Sequence, residues 1–225
     1  SISIGIVGRI IGCPSFVFNE DDANVSSLFA KIAYPTCNYI VTPECLKHED
    51  YGPKHITYPG YHELSYLHPN HFKPNSSVPR SIGLNLNEPY FILRFVSLKA
   101  HHDNNAIGIS FEVAQKLIKI LSDKGRVLIS SEENLRYEFK AYQFSLPPDK
   151  LHDVLAFASM YIGDSQTVTA EAAVLGVPSI RYNSFVGKIS YLEELQYKYN
   201  LTYGYRPGQE SQMIQKIQEL LDNKD

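Results

Sequence analysis

The chain has no basic excess: 21 lysines and arginines stand against 24 aspartates and glutamates, for a formal net charge of -3. Nonspecific grip on nucleic acid or anionic lipid needs the opposite balance, so no nucleic-acid partner is expected. No apolar run approaches the roughly 18 residues of a membrane span, and no signal peptide is readable, which predicts a soluble, cytoplasmic chain without a membrane span. Cysteine is scarce. Cys13, Cys37 and Cys45 are odd in number and lack CxxC spacing, which argues for reduced thiols over a disulfide framework or zinc site. GxGxxG and GxxxxGK[ST] are both missing, which counts against a dinucleotide oxidoreductase and a P-loop NTPase. No metal and no cofactor are expected.

What is present is a chain of 225 residues, 44% hydrophobic and 20% charged, enough for a real core in one large or two small domains. Its organising stretch is Tyr161 to Tyr182, which reads as strand, turn, helix, loop, strand. Gly163 stops a short apolar run, Asp164 and Ser165 are good N-cap types, and Val168, Ala172 and Leu175 recur at helical spacing until Gly176 and Pro178. A helix rising straight from a buried parallel strand points its first N–H groups and the positive end of its dipole at the sheet's carboxyl edge, where anions bind. Ser165, Thr167 and Thr169 are small enough to admit a phosphate and can donate to it, and Glu171, one turn in, can accept from a sugar hydroxyl. A simple capped helix is the alternative reading.

Before this stretch, SISIGIVGRIIG carries Ile2, Ile6 and Ile10 at helical spacing, followed by the strand SFVF. Asn19 to Asp22 and Asn24 open a helix over Val25 to Tyr34 that Pro35 ends, and NYIVT is the next strand. The NEDD cluster reads as a solvated capping loop, with a catalytic carboxylate as the alternative because it follows a strand on the edge that would face a cleft. His55 to Tyr58 is a further strand. The Pro-rich segment that continues to Pro79 is the boundary, dividing the chain into residues 1–79 and 80–225. His62 and Glu63 within it are candidate acid–base residues, or a surface pair.

From Arg80 strands and helices alternate: YFILRF, a helix over Ser110 to Ser122, RVLIS, a helix near Glu132 to Phe139, a strand near Tyr142 to Ser145 and a helix over Lys150 to Ala158. The 161–182 unit follows, then a helix over Ser190 to Tyr199, a strand at 201–203 and a helix over Gln209 to Leu221. Such alternation predicts a parallel sheet covered on both faces, with the loops after its strands gathered along one edge. Those loops hold Arg94, the pair His101-His102, Ser130, Asp164, Ser165, Asn183 and Ser184. A strand-end arginine suits phosphate because its fork is planar and permanently charged, while pairing of Arg94 with Asp164 or Glu171 stands as the alternative.

The segments YPGYHELSYLHP, RFVSLKAHHD, LISSEE and KLHDVLAFASMYIGDSQTVTAEAAVLGVPSI together resemble domain-of-unknown-function family 354, a GT-B-like family similar to glycosyltransferases and UDP-N-acetylglucosamine 2-epimerases. The resemblance implies an α/β GT-B-like fold of two Rossmann-like domains with parallel sheets, and the opening helix, which no strand precedes, leads us to expect the N-terminal one to be incomplete. It also implies a nucleotide sugar, UDP-linked, bound between the domains with Arg94 near its phosphates; together with the residues read above, the candidate binders are Arg94, Ser130, Asp164, Ser165, Thr167, Glu171, Asn183 and Ser184, and His62, Glu63 and His101 are catalytic candidates. The implied function is a glycosyltransferase or sugar epimerase of surface-polysaccharide synthesis. A noncatalytic binding or assembly component of that synthesis is the alternative, and homo-oligomers through an exposed sheet edge are expected. One departure is Ser165-Gln166-Thr167 where the 2-epimerases carry Ser-Gly-Gly, which narrows the approach of a pyrophosphate to the backbone.

Overall fold

The computed structural model describes residues 2–95, 109–131 and 135–222. The first part of the chain runs α1 (Ile4–Ile11), β1 (Phe16–Phe18), α2 (Ser27–Thr36), β2 (Tyr39–Pro43) and β3 (His55–Tyr58). These strands form a three-stranded parallel sheet in the order β1-β2-β3. Gly12, at φ 69°, closes α1 in the left-handed conformation that glycine adopts without strain. Gly5 lets α1 lie directly on α2, since a Cβ there would stand 2.5 Å from the Thr36 carbonyl carbon. Helix α2 does not stop at Pro35. It runs one residue further, because the proline falls in the last turn, where the Thr36 hydroxyl donates to the Ile32 carbonyl at 2.9 Å.

The chain then crosses from one sheet to the other through two short helices, α3 (Leu64–Leu67) and α4 (Ser77–Ser81). The second part runs β4 (Tyr90–Phe95), α5 (Phe111–Ser122), β5 (Arg126–Ser131), α6 (Leu151–Leu155), β6 (Met160–Gly163), α7 (Gln166–Val174), β7 (Ser179–Tyr182), α8 (Ser190–Tyr197), β8 (Thr202–Tyr205) and α9 (Glu210–Asp222). Its strands pair in parallel in the order β5-β4-β6-β7-β8. Phe91, Leu93 and Phe95 of β4 pack toward α5 and α9, while Tyr90 and Ile92 pack toward α6 and α7, so this interior strand is apolar on both faces. The fold is therefore α/β, with two parallel Rossmann-like sheets in a GT-B-like arrangement.

Two expected elements are shorter than their patterns suggested. Where a strand was expected near 142–145, a single residue pair, Ile129 and Gln143, bridges to β5, because a 3-10 turn at Tyr137–Tyr142 precedes it and Pro147-Pro148 follow. The helix expected over 150–158 spans only Leu151–Leu155, after a 3-10 turn at Pro148–Lys150. A helix near 132–139 falls partly outside the described residues.

Candidate functional site

In the second sheet the strand order reverses between β4 and β6, and a crevice opens outside their carboxyl ends in such a sheet. The register aligns Arg94 with Ser130 on one side and with Gly163 on the other. Arg94 Nη1 donates to Ser130 Oγ at 2.9 Å, which holds the guanidinium at this edge. Gly163 must be glycine, because a Cβ would lie 2.7 Å from the Arg94 carbonyl oxygen and against the Tyr161 hydroxyl. The chain then turns through Asp164 and enters α7 at Ser165, whose Oγ accepts the Val168 N–H at 3.4 Å. The serine hydrogen is left to donate outward, beside the N–H groups of the helix's first turn.

Thr167 is exposed on that first turn. Thr169 is buried, and its hydroxyl donates to the Ser165 carbonyl at 2.6 Å, which removes it from the set of outward donors. Asn183, also buried, donates through Nδ2 to the Asp164 carbonyl at 2.9 Å and accepts the Phe185 N–H, tying the loop after β7 to the turn after β6. Ser184 follows it, half-buried. Glu171 is 7% exposed, and its Oε1 lies 2.9 Å from His152 Nε2 and accepts from Tyr66 Oη at 3.0 Å. The carboxylate expected at a ribose thus already joins α7 to α6 and to the crossing segment. His101, His102, Asp103 and Glu132 lie outside the described residues.

Coupled to α7 and α8 is a cluster, from the loop after β1 and from the crossing segment, that the sequence pattern hid. NEDD is not a solvated loop. Asp22 is 7% exposed and Glu20 and Asp21 are partly buried, because the second sheet's helices close over the end of β1. His62 and Glu63 are not a surface pair either: Glu63 is 1% exposed, and neither of its carboxyl oxygens has a hydrogen-bond partner among the described residues. Burial pushes the Glu63 carboxyl up to about 8, helped by the nearby charges of Glu20 and Glu171. Burial likewise raises Glu20 to about 7, partly offset by a backbone hydrogen bond at His62, and it raises Asp21. His62 Nδ1 stands 3.4 Å from Glu20 Oε2, but burial lowers the imidazole, so the two form no strong ion pair. The ring stacks on Tyr58, 6.1 Å between centroids. Tyr191 of α8 is buried against the cluster, its phenol pushed up first by burial and then by Glu20 and Glu63.

Chemically, the cluster holds buried carboxyls near the neutral range beside a neutral imidazole, a combination suited to donating and accepting protons near pH 7. Of this cluster the sequence offered His62 and Glu63 as candidates and Glu20 only as part of NEDD, while Tyr66, His152 and Tyr191 carried no signal. The one available signal for Glu20 was its position directly after a strand. Among the described residues Asp22, His48 and Glu49 also converge, but Asp22 and Glu49 accept backbone N–H groups from Ser190 and Ala23, respectively.

No protein-family model matches the chain, and no curated protein matches it. Its fold is shared with solved structures. UDP-GlcNAc 2-epimerase from Methanocaldococcus jannaschii superposes with a TM-score of 0.62 at 13% identity, over 99% of this chain and 67% of that one. A UDP-N-acetylglucosamine 2-epimerase assignment from Listeria monocytogenes gives 0.62 at 15%, over 99% of this chain and 62% of that one. Arabidopsis thaliana UGT89C1, complexed with quercetin, gives 0.59 at 12%, over 100% and 61%. The chain thus spans about two thirds of their length. At these identities the likeness is one of fold, a GT-B-like fold common to glycosyltransferases and UDP-GlcNAc 2-epimerases. Among the described residues no helix is long and apolar enough to cross a membrane.

Proposed function

We propose that the protein binds a UDP-linked sugar between its two sheets and acts on it as a glycosyltransferase or sugar epimerase of surface-polysaccharide synthesis. The finer likeness to family 354, and a division into an N-terminal unit over 1–79 and a nucleotide-binding unit over 80–225, belong to this proposal. What supports it is Arg94 and the α7 N-terminus at one sheet edge, both suited to a diphosphate, together with the buried carboxyl of Glu63, which feels the charge of Glu171 on the same helix. One half supplies electrostatic stabilisation of phosphate charge and the other supplies proton transfer.

In this reading Arg94 and the first turn of α7 hold the diphosphate, with Ser130, Asp164, Ser165, Thr167, Asn183 and Ser184 around it. Glu63 holds a proton at neutral pH and can give it to an oxygen of the sugar or acceptor. Glu20, beside neutral His62, is the group that can take one. The test is calorimetric titration with UDP and UDP-N-acetylglucosamine, followed by product analysis. Binding of UDP that Arg94→Lys weakens and Glu63→Gln spares, with turnover lost in Glu63→Gln, is the expected result. Failure of either nucleotide to bind at about millimolar concentration overturns it.

A further inference from the structure

Behind the crevice, at the opposite end of α7, lies a separate pocket of about 410 Å³, within the ~300–1,000 Å³ of small-molecule sites. Val174, at the C-terminal end of α7, forms one wall, whereas Ser165 caps the other end, some nine residues or ~13 Å along the helix. Leu64, Leu195 and Leu201 supply an apolar floor, and Tyr61 and Tyr199 meet edge to face with centroids 6.5 Å apart. The charged groups are Glu44, Glu194 and Lys198.

The charge pattern points to one kind of occupant. Lys198 shows the chemistry from within the chain: its ammonium pairs with Glu194 and lies over the Tyr199 ring, 5.0 Å from the centroid. Glu44, an exposed member of the same lining, makes no ion pair among the described residues. A second ammonium is the ligand group that completes this set, and the leucine floor takes an apolar body behind it. An anion would meet the Glu44 carboxylate and a Lys198 ammonium already paired with Glu194.

The pocket is also joined to the acid cluster through covalent structure. Within one short stretch, Gly60, Tyr61 and Leu64 line the pocket while His62 and Glu63 belong to the cluster. An occupant that orders Tyr61 therefore acts on the backbone that places Glu63.

We propose that this pocket is a second ligand site, for a small primary amine on an aromatic or aliphatic body, and that its occupancy alters binding in the crevice through residues 60–64. The first half is independent of the nucleotide-sugar reading; the second rests on it. The probe is benzylamine, with benzyl alcohol as the neutral control, followed by NMR of the tyrosine rings and by calorimetry up to about 10 mM. Benzylamine should shift Tyr61 and Tyr199 and bind at least about threefold tighter than the alcohol, the size of one exposed cation–π or charge contact. Glu44→Gln should weaken it, and Lys198→Gln, which takes the lysine off Glu194 and uncovers the Tyr199 face, should tighten it. Equal binding of amine and alcohol, no ring shifts, or weaker binding in Lys198→Gln would each overturn the site. Saturating benzylamine should then change UDP affinity at least about twofold, and an unchanged UDP affinity overturns the coupling alone. If UDP does not bind at all, the nucleotide reading fails while the amine titration still decides the pocket.

Discussion

Asp22 caps a helix 168 residues away: its Oδ2 accepts the Ser190 N–H at 2.7 Å and its Oδ1 accepts the Ser190 hydroxyl at 2.6 Å. Helix α8 has no side-chain cap of its own at Ile189, so the first sheet supplies it. The two sheets are thereby fixed to one another beside the acid cluster.

Asp22→Ala should cost about 1–2 kcal/mol, the usual loss for a removed N-cap, and Ser190→Ala should cost less because the backbone bond survives. Urea denaturation of both variants measures this. Equal midpoints for Asp22→Ala and the parent would mean that the contact adds no stability.

Glu63 should make stability fall with rising pH. Its folded value of about 8 lies above the ordinary 4.5. Below pH 4.5 both folded and unfolded chains keep the proton, and the group has no effect. Above it the unfolded chain releases the proton first, so native stability declines until the pH passes about 8 and is level beyond. Glu63→Gln removes this decline and should be more stable at pH 7 by roughly 3 kcal/mol, at about 1.4 kcal/mol per unit, while matching the parent near pH 4. Parallel stability curves for the two proteins across that range would contradict it.

Tyr66 and Glu171 should act as one unit. If the Tyr66 hydroxyl and His152 hold Glu171 in place, Tyr66→Phe and Glu171→Gln will be non-additive in UDP affinity, with a coupling of about 0.5–3 kcal/mol. An independent ribose contact by Glu171 predicts that Glu171→Gln alone weakens UDP by roughly 1–3 kcal/mol and that the two changes add. A double-mutant cycle by calorimetry separates the two outcomes.

Arg94→Lys keeps the charge but loses the planar fork. UDP affinity should drop about tenfold or more, as for a lost charge-assisted hydrogen bond, while uridine affinity stays the same. A nucleoside and a nucleotide affected alike would return Arg94 to its contact with Ser130.

The second sheet was legible in the sequence because its signals are local. A buried strand such as YFILRF, a capping serine at Ser165 and the Gly176-Pro178 stop each depend on neighbours in the chain, and each appears where its pattern placed it. The acid cluster was much less legible. Glu20 and Glu63 sit in segments whose composition is that of loops, and their burial arises only when two separate sheets meet. The cap on α8 was invisible for the same reason: Asp22 reads as the start of the helix that follows it, and its partner lies in the other half of the chain. His152, in the middle of a helical pattern, gave no sign that Glu171 would reach it.

The outer side of the first sheet is an exposed apolar edge. Among the described residues β1 pairs only with β2, its Phe18 is 62% exposed, and on neighbouring α1 Ile10 is 78% exposed. A molecule that frays at this edge offers another molecule both unpaired backbone and apolar surface. We propose that copies associate there, and inactivation on warming should then follow second-order kinetics, with a half-life that shortens on concentration and an apparent melting temperature that moves with scan rate. A half-life independent of concentration would show that unfolding itself, rather than encounter through β1, limits survival.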